Sequence, residues 1–116
     1  MAYDENLETF TLNAAADFST TGIYRFGVVN TSGQAALASS AGRVDFVVYD
    51  NPAAIGRECK CAKGLITKIE LGGTVTAGDQ LQSGSSGVAT SGSTNTPGIA
   101  LESGVSGDII SMLWSK

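Results

Sequence analysis

The chain has no histidine, only two cysteines, two prolines and one tryptophan, and seven basic residues against eleven acidic ones. Without imidazole there is no serine–histidine or cysteine–histidine nucleophile pair and no histidine ligand for zinc. A formal net charge of −4 leaves no basic footprint of the kind nucleic acid demands, so no nucleic-acid partner is expected. No apolar run approaches the ~20 residues that span a bilayer, and residues 1–6, Met-Ala-Tyr-Asp-Glu-Asn, lack the basic-then-apolar order of a secretory signal. No membrane partner is expected either. Helical periodicity is scarce too: 12–18, Leu-Asn-Ala-Ala-Ala-Asp-Phe, allows one turn at most before the run Ser-Thr-Thr-Gly.

What is present is small and hydroxylic. Glycine, serine and threonine supply 15, 13 and 11 of the 116 residues, while 42% of the chain is hydrophobic. That combination favours a loop-rich all-β domain over a disordered one. Short β-type runs near 9–12, 23–30, 34–38, 44–49, 58–61, 65–71, 80–82, 87–90, 98–102 and 108–114 are separated by turn clusters such as Asn30-Thr-Ser-Gly33, Ala77-Gly-Asp79 and Gly84-Ser-Ser-Gly87. The expected fold is a small β-sandwich or Greek-key-like barrel with short strands, little helix and an extended N-terminal arm. Two runs, Phe46-Val-Val-Tyr49 and Ile109-Ile-Ser-Met-Leu-Trp114, are apolar on both faces and must be covered on both sides.

Charge divides the chain. Residues 1–17 carry Asp4, Glu5, Glu8 and Asp17 with no base, whereas 18–80 carry six bases against five acids. The expected organisation is an acidic N-terminal arm over 1–17 and a single β domain over 18–116. The arm is either a solvated terminus or a segment that orders on a partner, with its few large apolar residues as anchors.

Two finer expectations concern register and repetition. With Ala62-Lys-Gly64 as a three-residue loop and Gly64 left-handed, Cys61 would face Leu65, Cys59 would face Thr67, and Glu58 would pair with Lys68 across a hairpin. In addition, Asn30-Thr-Ser-Gly33 and Gly84-Ser-Ser-Gly87 each open a short strand. Each is followed by an apolar strand, a turn, a glycine (Gly56, Gly107) and another strand. This echo reads either as a duplicated β unit or as the chance likeness of Gly/Ser-rich turns.

Candidate chemistry is sparse. Cys59-Lys-Cys61 points two thiols to one face of a strand, where they read as small buried apolar residues in a reducing compartment. Adjacent same-face positions do not suit a disulfide, and further zinc ligands are missing. Asp45, Asp50, Glu70, Asp79, Glu102 and Asp108 fall at strand ends and turns, where carboxylates cap turns and keep edges soluble. Neither phosphate-binding glycine motif occurs. Asn30-Thr-Ser32 matches a glycosylation sequon but reads as a turn. Arg57, Lys60, Lys63 and Lys68 form either a solvated basic edge or a contact patch for an acidic partner. Val75-Thr-Ala-Gly-Asp-Gln-Leu81 echoes biotinyl and lipoyl carrier domains, but Cys61-Ala-Lys-Gly64 does not match their modified lysine. No cofactor, metal site or catalytic residue is expected.

From about residue 22 to residue 114 the order of turns is distinctive: Gly27-Val-Val-Asn-Thr-Ser-Gly33, then Asn51-Pro-Ala-Ala-Ile-Gly-Arg57, then 59–64. Thr74-Val-Thr-Ala-Gly-Asp-Gln-Leu-Gln-Ser-Gly-Ser-Ser-Gly87 follows, closed by Pro97-Gly-Ile-Ala-Leu-Glu102 and Gly107-Asp-Ile-Ile110. This order resembles the head-decoration (capsid cement) proteins of tailed bacteriophages. The resemblance implies an all-β virion protein without an active site, made in the bacterial host cytoplasm. It would bind the exterior of an assembled capsid as a homotrimer and clamp neighbouring subunits of the major capsid protein. On this basis Tyr3, Leu7, Thr9, Phe10 and Leu12 of the arm are candidate contacts with capsid or a neighbouring subunit. Tyr24, Phe26, Met112 and Trp114 belong either to the core or to a trimer seam. The competing functions are a fibre or tail module recognising a cell-surface glycan, which eight aromatics equip poorly, and an enzyme.

Overall fold

Short runs rich in valine, isoleucine and threonine, punctuated by glycine turns, suit pleated strands and little else. The chain accordingly folds into nine of them: β1 (Glu5–Asn13), β2 (Phe26–Val29), β3 (Ala35–Leu37), β4 (Phe46–Val48), β5 (Glu58–Glu70), β6 (Gln80–Ser83), β7 (Ala89–Ser91), β8 (Gly98–Ala100) and β9 (Ile109–Trp114). The structure is a computed structural model and describes residues 4–115. Among them the only helical element is one 3-10 turn, Ser85–Gly87. The strands pair antiparallel in one curled sheet of order β3-β2-β4-β5-β9-β8-β6-β7, with β1 also pairing β5. The small all-β fold is as expected from composition and turn spacing.

One expected hairpin does not form. Residues 58–61 and 65–71 are not two strands around a loop, because Ala62-Lys-Gly64 lies inside the continuous thirteen-residue β5. Cys59 therefore pairs with Leu12, Cys61 with Phe10 and Val48, Glu58 with Asn13, and Lys68 with Ser111. Gly64 is needed for proximity rather than for a turn. Leu7 of β1 lies opposite it, and a Cβ there would run into the carbonyl oxygen of Asn6.

The echo in the turns is a true structural repeat. Around the first turn, Asn30 N–H donates to Gln34 O and Gly33 N–H to Asn30 O; around the second, Gly84 N–H donates to Val88 O and Gly87 N–H to Gly84 O. Gly33 and Gly87 share the same left-handed backbone, φ 76° and 77°. The ladder Gly27↔Leu37, Val28↔Ala36, Val29↔Ala35 is matched by Leu81↔Ser91, Gln82↔Thr90, Ser83↔Ala89. Tyr24 N–H to Val48 O and Val48 N–H to Arg25 O are matched by Gly78 N–H to Ala100 O and Ala100 N–H to Asp79 O. The parallel bridge Ala14↔Ala35 is matched by Leu71↔Ala89.

The correspondence extends to strands that the turns do not reveal. Asn13↔Glu58 and Leu12↔Cys59 become Glu70↔Ile109 and Ile69↔Ile110. Unit 1 is thus β1, β2, β3, β4 and the first half of β5; unit 2 is the second half of β5, then β6, β7, β8 and β9. The residues expected to form an arm contain β1, the counterpart of the second half of β5. Because β1 and β9 pair antiparallel with successive halves of one strand, an approximate two-fold exchanges the units.

Each unit fills its interior differently. One cluster joins Leu71, Leu81, Ile110 and Met112 of unit 2 to Phe26 and Val47 of unit 1. A second, wholly in unit 1, comprises Ala14, Phe18, Ala35, Phe46, Val48, Cys59 and Cys61.

Candidate functional site

The cysteines sit at the unit 1 positions that Ile110 and Met112 occupy in unit 2. Both are fully buried, so their first role is to fill space. A hydrogen bond from the Cys61 thiol lowers the Cys59 pKa and raises that of Cys61, which burial raises further. The carboxylates hold turns and edges. Asp79 accepts Thr76 N–H at 2.9 Å and Asp108 accepts Val105 N–H at 2.9 Å, in two turns of the same form within unit 2. Asp50 accepts Lys60 N–H and Glu102 accepts Ser111 N–H at positions equivalent in the two units. Glu70 pairs with Arg25 at 3.4 Å. Among the described residues no three His, Cys, Asp or Glu side chains converge as metal ligands would.

Of the arm positions, Tyr3 lies outside the described residues. Leu7 and Leu12 are half-buried, and Leu12 packs on the unit 1 core. Thr9 is exposed, and Phe10 is 44% exposed while its ring meets Phe46 edge-on at 5.6 Å. Of the four residues left between core and seam, Phe26, Met112 and Trp114 belong to the core. The Trp114 indole N–H donates to Thr67 Oγ1 at 2.9 Å. Tyr24 is half-buried, stacks edge-on with Tyr49 at 5.2 Å, and has the Lys68 ammonium 5.7 Å from its ring. The basic residues expected around a hairpin are instead strung along and just before β5; Arg57, Lys60 and Lys63 are exposed.

The structure adds a feature that residue order alone did not single out. A cleft of about 330 Å³ opens where Arg43, Val44 and Lys63 of unit 1 meet Asn95, Thr96 and Trp114 of unit 2, with Pro97 and Ser115 beside them. By the registers of β4 with β5 and β8 with β9, Lys63 corresponds to Trp114, Arg43 to Asn95 and Val44 to Thr96. Both members of every pair line the cleft, so it lies on the pseudo-two-fold.

Antiparallel strands in a duplicated, curled sheet define an all-β fold, and the fold by itself does not fix a function. No family model matches this sequence, and no curated protein matches it. Among solved structures the chain is similar to one described as the head fiber gp8.5 N base in bacteriophage phi29, with a TM-score of 0.75 at 18% identity, covering 94% of each chain. The likeness is one of fold.

Proposed function

We propose that the chain is a bacteriophage virion structural protein that binds the outer surface of an assembled capsid as a homotrimer and stabilises the shell by clamping adjacent subunits of the major capsid protein. The observation that carries this reading is the fold shared with a phage head-fibre base over nearly the full length of both chains. The turn order that resembles head-decoration proteins points to the same part of a virion. A ligand of the assembled shell that ignores its free subunits stabilises the shell by mass action, and three linked copies add avidity, so each contact can be modest. Thr9 and Phe10, exposed on β1, are the contacts this reading favours, flanked by Leu7 and Leu12. It requires no catalytic step, metal or cofactor, and places the protein on the capsid exterior after synthesis in the host cytoplasm.

The test is sedimentation of the purified protein with expanded empty capsids of the encoding phage and with unassembled capsid protein. Co-sedimentation with the shells alone supports the reading; equal binding to free subunits, or binding to neither, contradicts it. A second reading, a fibre or tail module recognising a cell-surface glycan, draws on the same match, because the neighbour is part of a fibre. Binding to cell-wall glycan without binding to shells would favour it.

A further inference from the structure

The cleft on the pseudo-two-fold is a meeting of equivalent positions, and those positions differ in charge between the units. Unit 1 contributes Arg43 and Lys63; the equivalent residues of unit 2 are the neutral Asn95 and Trp114. In a chain with seven bases and a net charge of −4, the Lys63 ammonium and the Arg43 guanidinium, the latter ion-paired with Asp45 at 2.9 Å, come from distant segments to one depression. The geometry points to a carboxylate-bearing segment of a partner polypeptide as the ligand of this cleft.

The guanidinium of Arg43 is already oriented. Its Nε and Nη2 each donate to Asp45 at 2.9 Å, and Nη2 also donates to Val29 O at 3.0 Å. Nη1 takes part in none of these bonds. A held fork spends less conformational entropy on binding a carboxylate than a loose one. The Lys63 ammonium stands 5.3 Å from the centre of the Trp114 ring, a resting place that holds it at the cleft and yields to a full negative charge.

The remaining surface argues for peptide over sugar. A saccharide ring calls for an open aromatic platform, but Trp114 is only 8% exposed, lies under Lys63 and has committed its N–H to Thr67. Val44 and Pro97 supply instead a small apolar surface suited to the methylenes of a glutamate side chain.

Trp114 is the sole tryptophan, so its fluorescence reports on the cleft in the intact chain without any capsid, independently of the virion reading. The probe is a tri-glutamate peptide blocked at both ends, titrated beside its tri-glutamine twin and glucuronic acid. The expected result is a saturable change with tri-glutamate alone, weakening as salt rises. Arg43→Gln and Lys63→Gln should each weaken it at least tenfold, while Lys60→Gln, outside the cleft, leaves it unchanged. Both cleft cations are exposed, and circular dichroism confirms folding of each variant. An equal response to tri-glutamine, a response to glucuronic acid alone, no saturation, or wild-type affinity in both folded cleft variants would overturn the assignment.

Discussion

In unit 1 the facing residues on β2 and β4 are Gly27 and Phe46; in unit 2 the facing residues on β6 and β8 are Leu81 and Gly98. One unit sets the large side chain on the later strand, the other on the earlier, and each faces a glycine. A Cβ on Gly27 would strike the Phe46 ring. Elsewhere Ala14, Cys59 and Cys61 of unit 1 stand where unit 2 has Leu71, Ile110 and Met112. Backbone hydrogen bonding has been held constant while the volumes filling each unit were redistributed, as packing permits when total volume and register are kept. The difference teaches that these positions are constrained in pairs, not one by one.

The sharpest way to break the comparison is Phe46→Ala, expected to cost about 3–5 kcal/mol by denaturant unfolding because a fully buried ring leaves a cavity. Gly27→Leu alone should also destabilise. The double variant Gly27→Leu with Phe46→Gly, which copies unit 2, should lose clearly less than the two single costs together; strict additivity would refute paired constraint.

Met112→Ala should cost about 2–5 kcal/mol. Its counterpart Cys61→Ala, removing one sulfur from an equally buried place, should cost about 1 kcal/mol. Equal losses would show that the two positions are not equivalent in packing.

Gly78 and Gly107 occupy the same left-handed turn position, φ 92° and 93°, with open space where a Cβ would sit. Gly78→Ala and Gly107→Ala should therefore each lose about 1 kcal/mol from backbone strain alone. The unit 1 counterpart of Gly78 is Tyr24, which holds φ 63° as a non-glycine residue.

The smallest effect concerns Tyr49, whose counterpart is Leu101. Burial raises its pKa to about 12, opposed by the Lys68 N–H that its hydroxyl accepts at 2.7 Å. The folded state holds this proton more tightly than the unfolded chain, whose tyrosine titrates at about 10. The stabilisation is therefore full below pH 10 and lost as pH rises towards 12. Thermal melts across that window should show a shallower decline for Tyr49→Phe than for the natural chain.

Much of this plan was legible in the sequence. Asn30–Gly33 and Gly84–Gly87 mark equivalent turns because a left-handed glycine leaves a readable signature, and Gly56 and Gly107 mark the next pair. The apolar runs at 46–49 and 109–114 announced strands that are covered over Phe46–Val48 and 110–112, while Ile109 is exposed. The continuity of β5 was not legible, since a glycine kept for close approach of another strand looks the same as one kept for a turn. The first strand of unit 1 was legible over 9–12 as a strand but not as part of the repeat, because β1 is largely polar and exposed and only Leu12 resembles its counterpart, Ile69. The cleft depends on that register, because only the pairing of strands aligns Arg43 with Asn95 and Lys63 with Trp114.

The central claim is that β1 is the first strand of unit 1 and not a free extension. Native-state amide exchange tests it most directly, comparing Phe10 and Leu12 with their counterparts Thr67 and Ile69. The account predicts slow exchange at all four amides, with the β1 pair somewhat faster because its outer face is open to water. Exchange of Phe10 and Leu12 at the rate of an unstructured peptide, beside full protection of Thr67 and Ile69, would contradict it.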